Sequence, residues 1–220
     1  MSGRSLASVM ARTLLLVLPL AAVATELRVT VALADGTPLA DAVVVADPAS
    51  SAAVDARARR PRAVMDQRNL QFVPEILVIR TGTSVEFPNS DQVLHQVYSF
   101  SGAKKFQLSL YAGRQHDPVV FDKPGLVVLG CNIHDNMIGY IYVTDSPWFG
   151  RSDAHGAVSL DLPDGSYTVS VQHPRITDAP ESLRTALTVA AVPLTHAFRL
   201  QRPLKAAPRT HGHDKRWEDY

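Results

Sequence analysis

The sequence contains a single cysteine, Cys131, among its 220 residues. A disulfide within one chain needs two cysteines, and proteins of oxidising compartments that use cysteine structurally carry it in pairs. This thiol therefore cannot cross-link the chain to itself. Three roles remain open for Cys131 on this observation alone: a buried apolar side chain, a link to another molecule, or a ligand.

The sequence also lacks an excess of charge of either sign. Its 22 basic and 21 acidic residues give a formal net charge of +1 at pH 7 with histidine neutral. Removing the first 24 residues takes away two positive charges, Arg4 and Arg12, and no acid, so the formal charge becomes −1. Binding through overall positive charge is therefore excluded, and we expect no nucleic-acid partner.

No apolar run is long enough to span a bilayer, which takes about 18 or more residues. The run TLLLVLPLAAVA follows a basic stretch and ends in Ala22-Val23-Ala24, a pattern typical of signal-peptidase cleavage. We therefore predict a signal peptide at residues 1–24 and a mature chain that begins at Thr25. This implies export to the periplasm without stable membrane insertion. An uncleaved N-terminal anchor is the alternative.

Helical periodicity is nearly absent from the sequence. Short runs rich in Val, Ile, Phe, Tyr and Thr recur instead, such as EILVIR, HQVYSF and SYTVSVQ, and turn-forming stretches such as ADGTP and LPDG separate them. About ten short strands with turns between them predict an all-β sandwich or barrel. Residues 48–62 are predicted to be a linker, and residues 201–220 a disordered tail.

The two ends of the mature chain carry strand patterns that need each other. Residues 27–47 predict a hairpin of two strands, which is too short to bury a core of its own. Residues 152–174 and 183–200 supply about four more strands. Together the two parts resemble the carboxypeptidase-regulatory-like, transthyretin-like β-sandwich. The matching positions are Asp35, Gly36, Pro38, Leu39, Ala42, Val43, Asp153, Gly156, Leu162, Pro163, Gly165 and Tyr167.

This resemblance implies one Ig-like sandwich that is split in sequence. Its parts are residues 25–47 and 152–200, and a second domain, residues 63–145, is inserted between them. Insertion at an exposed loop is tolerated because the two ends of such a loop lie close together.

The inserted segment holds four side chains of metal-binding type: His95, Cys131, His134 and Met137. A thiolate and two imidazoles with a weak axial thioether form the type-1, or blue, copper site. The soft thiolate stabilises Cu(I), the imidazoles accept both oxidation states, and the thioether helps to set the reduction potential. Taken singly, each residue would be assigned to the core or to the sheet. Together they predict a site for one copper ion.

Residues from about 65 to 143 resemble the cupredoxins, and the Cys-x-x-His-x-x-Met spacing resembles the short ligand loop of amicyanin-like proteins. The wider arrangement is similar to periplasmic plastocyanin-like proteins of the methylamine-utilisation type. The resemblance implies a Greek-key β-sandwich with a type-1 copper site. The upstream matching positions are Phe72, Pro74, Leu77, Ile79, Gly82, Val85, Phe87, Asn89, Asp91 and His95.

Two features depart from the usual cupredoxin pattern. Gln96 stands where an asparagine commonly follows the first histidine ligand and ties the ligand loops together. Residues 126–130, LVVLG, precede Cys131 without an aromatic residue, although aromatic residues are common on this strand. These departures bear on the reduction potential and on any aromatic electron route, whereas the copper ligands themselves are retained.

The resemblance implies a one-electron carrier that is not an enzyme. Its redox partner would be a cytochrome or a dehydrogenase, reached through the edge of His134, with Ile133, Met137 and Ile138 as an apolar docking rim. The alternatives are a copper chaperone or store, a structural zinc domain, and an adhesive or carbohydrate-binding function of the split sandwich. Enzymatic copper chemistry is disfavoured because copper oxidases and nitrite reductases need further ligand sets.

The remaining histidines are not predicted to be ligands. His116 is expected to be exposed, His155 and His173 to be structural, and His211 and His213 to lie in the tail. Trp148 and Phe149 are expected to pack at the junction between the two domains.

Overall fold

A computed structural model describes residues 24–50 and 61–207. The predicted signal peptide, except Ala24, most of the predicted linker, and residues 208–220 with His211 and His213 lie outside the described residues. Within them the regular secondary structure is β-strand, apart from one short 3₁₀ helix at Pro180–Leu183. The all-β prediction is therefore confirmed. No helix in the described part is both long enough and apolar enough to cross a membrane.

Seventeen strands make up the described part of the chain. The first two are β1 (Thr25–Ala32) and β2 (Val43–Pro48). The next ten are β3 (Arg62–Val64), β4 (Asp66–Arg68), β5 (Gln71–Val73), β6 (Ile76–Arg80), β7 (Thr83–Glu86), β8 (His95–Ser101), β9 (Lys104–Tyr111), β10 (Val119–Phe121), β11 (Gly125–Cys131) and β12 (His134–Thr144). The last five are β13 (Phe149–Arg151), β14 (Ala157–Leu162), β15 (Gly165–Gln172), β16 (Arg184–Val189) and β17 (Leu194–Arg199).

Strands β3 to β12 form what we call the central sandwich. Its larger sheet has the order β6-β12-β11-β8-β9, its smaller sheet the order β10-β7-β3, and β4 pairs with β5 beside them. Alternate residues of each strand point inward, as the two-residue period of a strand requires. Phe72, Val85, Phe121, Val127 and Ile141 are among the side chains that fill this core.

The remaining strands form what we call the split sandwich, from sheets β14-β1-β17 and β13-β2-β15-β16. Its core is a separate cluster that includes Leu27, Val44, Val169 and Phe198. Strand β13 pairs with β2, with Phe149 opposite Val45. The second part of the split sandwich therefore begins at residue 149, a few residues before the expected residue 152.

The expected hairpin of β1 and β2 is wrong. The two strands lie in different sheets, and β1 pairs with β14 on one side and with β17 on the other. The chain crosses from one sheet to the other after the turn, where Leu39 donates its backbone N–H to the carbonyl of Val31. Crossing places the apolar faces of both strands against one core, which a flat hairpin cannot do.

A small apolar cluster joins the two sandwiches. Val43 and Val45 of β2 pack with Ile76 of β6 and Tyr142 near the end of β12. Phe149 packs against this cluster, as expected for the junction. Trp148 instead packs against the core of the split sandwich, with its ring edge-to-face on Tyr167.

The first residues of the predicted disordered tail are held in place. The backbone N–H of Lys205 donates to the carbonyl of Arg175 at 2.8 Å, and Nε of Arg175 donates to the carbonyl of Lys205 at 2.7 Å. The carboxylate of Asp178 accepts the backbone N–H of Gln201 at 2.7 Å, and Leu204 packs on the core of the split sandwich. The prediction of disorder from residue 201 is therefore wrong at its start. These polar residues are ordered because a neighbouring loop pairs with their backbone.

Candidate metal centre

Two of the four predicted ligands flank a tight turn between adjacent strands. Cys131 is the last residue of β11 and His134 the first of β12, and the two are paired across the turn. Val127, Leu129 and Cys131 alternate inward along β11, so the thiol arrives on the core side of the sheet. The apolar sequence of β11 thus carries the polar ligand to the end of the core.

A register shift in the pairing of β11 with β12 lies between the predicted ligands His134 and Met137. Gly130 pairs with Ile138, but its neighbour Cys131 pairs with His134, so residues 135–137 have no partner on β11. In a regular strand, residues three apart point to opposite faces. The bulge removes this restriction, and such bulges re-aim side chains near functional sites.

His95 reaches the site from the other neighbour of β11. It is the first residue of β8 and is fully buried. The loop before it is organised by Asn89, which donates from its side chain to the carbonyl groups of Val93 and Tyr111 at 2.8 and 2.9 Å. Asn89 also exchanges backbone hydrogen bonds with Gly113. This residue ties the loops together, the function that asparagine commonly has at the position of Gln96.

Three potential ligand atoms converge at the end of the central sandwich. The Nδ1 atoms of His95 and His134 are 3.1 Å apart, and Cys131 Sγ lies 3.8 Å from the first and 3.5 Å from the second. Among the His, Cys, Asp and Glu side chains of the described residues, those of His95, Cys131 and His134 form a group that could hold a metal ion. Met137 is buried in the same core cluster as Cys131 and lines the same surface groove.

These separations fit a single metal ion. With bond lengths of about 2.0 Å to nitrogen and 2.3 Å to sulfur, they correspond to ligand–metal–ligand angles of about 100°, 110° and 125°. Such angles lie between the tetrahedral and the planar trigonal arrangement. The donor set of two imidazoles, a thiol and a neighbouring thioether is the one that blue copper sites use. The residues present therefore fit copper.

The side chain of Asp91 and the backbone of Gln96 form an outer layer around the ligands. Asp91 Oδ2 lies 2.8 Å from Nε2 of His95, so Nδ1 of that ring is directed at the thiol and at His134. The backbone N–H of Gln96 donates to Cys131 Sγ at 3.5 Å. Hydrogen bonds to a thiolate sulfur and to the distal nitrogen of a histidine ligand tune the electron density that each offers a metal.

The surroundings shift the pKa values of several groups at the site. Burial and the neighbouring His95 lower the pKa of His134, which favours the neutral imidazole that binds metal. Burial raises the pKa of Asp91, but hydrogen bonds from the Leu70 amide and the His95 ring outweigh it, and the net pKa is lowered. Burial raises the pKa of Tyr111 to about 12, so its hydroxyl is a neutral hydrogen-bond donor to Phe87.

The surface at the site is partly apolar. Ile133, between two ligands, is 51% exposed, and Leu94, next to His95, is 46% exposed. Met137 is 2% exposed, so its predicted position on a docking rim is wrong: the bulge turns it into the core. An open groove of about 450 Å³ lies on the outer face beside Cys131, lined by Tyr98, Phe100 and Ile138 among others.

An aromatic ring lies beside the cysteine strand, although none is present in the residues just before Cys131. Tyr98 of β8 is paired with Gly130, and a Cβ added to Gly130 would meet the Tyr98 ring at 2.8 Å. The neighbouring strand therefore supplies the aromatic side chain. The sequence of β11 alone indicated that an aromatic side chain is absent, because it contains no information about the neighbouring strand.

The other described histidines do not belong to the group of potential metal ligands. His116 is half-buried rather than exposed, with its ring edge-on to Tyr111. His155 lies in an exposed turn. His173 is half-buried and accepts the backbone N–H of Arg175 through Nδ1, and burial lowers its pKa to about 4.

The sheets of the central sandwich and its His-Cys-His group, with Met137 in the same core cluster, are similar to those of the cupredoxins, the class of blue copper proteins. The chain resembles cupredoxins of known structure over part of its length. No protein-family model matches the sequence, and no curated protein matches it.

Three solved structures illustrate the similarity. A Cu-containing nitrite reductase (NirK) from Thermus scotoductus SA-01 is 30% identical over 43% of this chain and 25% of its own, with a TM-score of 0.36. A purple cupredoxin from Nitrosopumilus maritimus is 22% identical over 38% of this chain and 99% of its own, with a TM-score of 0.33. A reduced amicyanin variant is 20% identical over 45% and 98%, with a TM-score of 0.34. The chain thus spans about a quarter of the nitrite reductase.

Proposed function

We propose that this protein is an exported, periplasmic type-1 copper protein that carries single electrons between redox proteins and is not itself an enzyme. The observation that carries the proposal is the convergence of His95 Nδ1, His134 Nδ1 and Cys131 Sγ, with Met137 buried in the same core cluster as Cys131. A bound copper ion would supply the one-electron Cu(I)/Cu(II) couple.

The residues around the site favour electron transfer because they restrict movement. Cys131 and His134 are fixed by strand pairing, and His95 is buried and hydrogen-bonded to Asp91. Ligands that are held by the fold move little when the charge at their centre changes, which keeps the barrier to electron transfer low. His134 is the half-exposed ligand, so its ring edge is the route between the site and a partner.

The redox partner we propose is a cytochrome or a dehydrogenase that docks at this end of the central sandwich. The exposed side chains of Ile133 and Leu94 adjoin the ligands and supply apolar contact area. The split sandwich packs near Tyr142, toward the opposite end of β12 from His134, and does not compete for this surface. Small apolar patches of this kind suit short-lived complexes that must also separate.

The distances also suit a structural zinc site, which is the second candidate. Zinc binds Cys and His in a tetrahedral arrangement at the same bond lengths, and it leaves the protein colourless. A copper chaperone or store that holds Cu(I) would be colourless as well. Visible absorption therefore separates the proposed function from both alternatives.

The test is to load the purified full-length chain with Cu(II) and to record its visible and EPR spectra. We expect an intense thiolate-to-copper band, one copper per chain and reversible one-electron reduction. Cys131→Ser should abolish the band, whereas His155→Asn, in an exposed turn, should retain it. A colourless protein that binds zinc in preference to copper would refute the proposed function. Electron exchange with a c-type cytochrome, without turnover of nitrite, tests the carrier role.

A further inference from the structure

Asp91 makes contacts that its place in a surface loop does not require. Its Oδ2 lies 2.8 Å from Nε2 of His95, and it accepts the backbone N–H groups of Asn69 at 2.6 Å and Leu70 at 3.0 Å. Its side chain is 13% exposed, and that of His95 is completely buried. One carboxylate therefore joins a ligand of the metal centre to a separate hairpin.

That hairpin is the short pair β4–β5, and its turn has an unusual backbone. Asn69 and Leu70, the two turn residues, have φ values of 54° and 57°. A turn with two left-handed residues matches the twist of a hairpin. The left-handed region is unfavourable for a leucine, because its Cβ crowds the following carbonyl. Strands of three residues cannot stabilise such a turn alone, so the carboxylate of Asp91 helps to hold it.

The turn also fixes the position of the Asp91 carboxylate. Successive backbone N–H groups in a turn form a concave site for an anion. The two amides bind the Asp91 carboxylate from one side. The carboxylate therefore has a fixed orientation toward the ring of His95, which lies on its other side. A carboxylate that is fixed in this way keeps the ring proton on Nε2 and leaves Nδ1 free for a metal ion.

The two histidine ligands differ in this respect. Within the described residues, the ring contacts of His134 run through Nδ1, to His95 and to Cys131. Its Nε2 has no side-chain or backbone partner among them. The ring of His95 is therefore held at both nitrogens, whereas that of His134 is held through Nδ1 alone.

We propose that Asp91 is a positioning residue for the metal centre: it fixes the tautomer and the orientation of His95, and it lowers the reduction potential of the bound copper. The second effect follows because a negative charge on the far side of the imidazole raises electron donation and stabilises the more positive oxidation state. The claim about potential rests on the proposed function, whereas the claim about His95 does not.

The variant that tests this is Asp91→Asn, which keeps the shape and removes the charge. Loss of an outer-layer partner of this kind typically weakens metal binding about 10–100-fold. We expect Cu(II) affinity to fall at least tenfold relative to Cu(I). A tenfold change in that ratio raises a one-electron potential by about 59 mV. A redox titration of the copper-loaded full chain measures this shift, and zinc affinity measures the loss of preorganisation without copper.

Asp66→Asn is the matched control. Asp66 lies on β4 beside the same turn, its side chain is 14% exposed, and it accepts hydrogen bonds from Ser90 and Arg68 rather than from a ligand. Its substitution should leave the zinc affinity, and the Cu(II)-to-Cu(I) affinity ratio calculated from the potential, within twofold of the wild-type values. If the two variants behave alike, Asp91 has no special function at the site and the proposal is overturned.

A measurement on the unsubstituted protein guards against a variant that does not fold. In the metal-free chain, ¹⁵N NMR of the imidazole ring should place the His95 proton on Nε2. A proton on Nδ1 would overturn the proposal without any variant. If the wild type shows no blue band but Asp91→Asn lowers zinc affinity tenfold, the proposed electron-transfer function fails while the positioning role stands.

Discussion

The Nδ1 atoms of His95 and His134 face each other at 3.1 Å, although the two residues lie on different strands of one sheet. Two imidazole nitrogens at this distance cannot both carry a proton, and a hydrogen bond between them needs a proton on one. A metal ion bound here would take the place of that proton and would have the sulfur of Cys131 as a third ligand. Metal binding therefore releases protons and stabilises the folded state, because the unfolded chain has no such site.

The contribution of the thioether is tested by Met137→Leu. Leucine fills a similar volume, so the cost in the free energy of unfolding should stay below about 1.5 kcal/mol. We expect the blue colour to persist and the reduction potential to rise, because Cu(II) loses an axial donor. The control is Met65→Leu, a buried methionine in the same core cluster without a predicted ligand function. A redox titration of both variants makes the comparison, and equal potentials would argue against Met137 as a ligand.

The packing of the central sandwich predicts that Gly139→Ala is destabilising. A Cβ at this position of β12 would lie 2.9 Å from Cβ, Cγ and Cδ2 of Phe72. Overpacking of this kind costs about 1–3 kcal/mol in the free energy of unfolding. Gly102→Ala is the control, because an added Cβ there has no heavy atom within 4 Å. Urea unfolding of the metal-free protein should show a lower free energy of unfolding for Gly139→Ala than for Gly102→Ala. Equal values would show that the Phe72 side chain moves to accommodate the added Cβ.

Stability should depend on pH through His173 in the split sandwich. Its pKa is lowered to about 4 in the folded protein, by burial first and then by Arg175. The unfolded chain, with an ordinary pKa near 6.5, binds more protons between these values. The neutral side chain therefore stabilises the fold above pH 6.5, and this stability is lost as the pH falls toward 4.

The variant that checks this is His173→Gln. Its free energy of unfolding, measured in urea at pH 7 and at pH 5, should fall less between the two pH values than that of the wild type. His155→Gln, in an exposed turn, should behave as the wild type does. A variant at position 173 with an unchanged pH dependence would contradict the assignment.

The division into two domains predicts that residues 61–145 fold and bind metal on their own. All four ligands and the core cluster around Phe72 lie within this range. The fragment exposes Ile76 and Tyr142, which the split sandwich covers in the full chain, so it should be less soluble. Circular dichroism and the visible spectrum with copper are the measurements. Metal binding by the full chain alone would show that the division is wrong.

Much of this architecture is predictable from local sequence. The period of two in strands such as β1 and β11 indicates which residues face a core. The chemistry of His95, Cys131, His134 and Met137 indicates one metal site, because softness and spacing restrict what these residues can bind together.

Other features depend on partners that are distant in sequence. The period of β1 indicates its buried face but not its neighbours, so the pattern of residues 27–47 suggested a hairpin that does not form. The bulge beside Cys131 follows from how β11 and β12 pair, which their composition does not reveal. The contact between Asp91 and His95 was missed because their four-residue spacing lies in a loop. The spacing of an acid four residues before a ligand was the available signal.

The pairing of β1 with β14 and β17 has a consequence for synthesis and folding. Both neighbours of this first strand are made only after the whole central sandwich. The strands of the central sandwich pair with one another, so we expect this sandwich to form first. During that time both edges of β1 have no pairing partner. Unpaired edges of this kind join with other chains. Truncation before β17 should therefore produce aggregation through β1 even though the metal centre is complete.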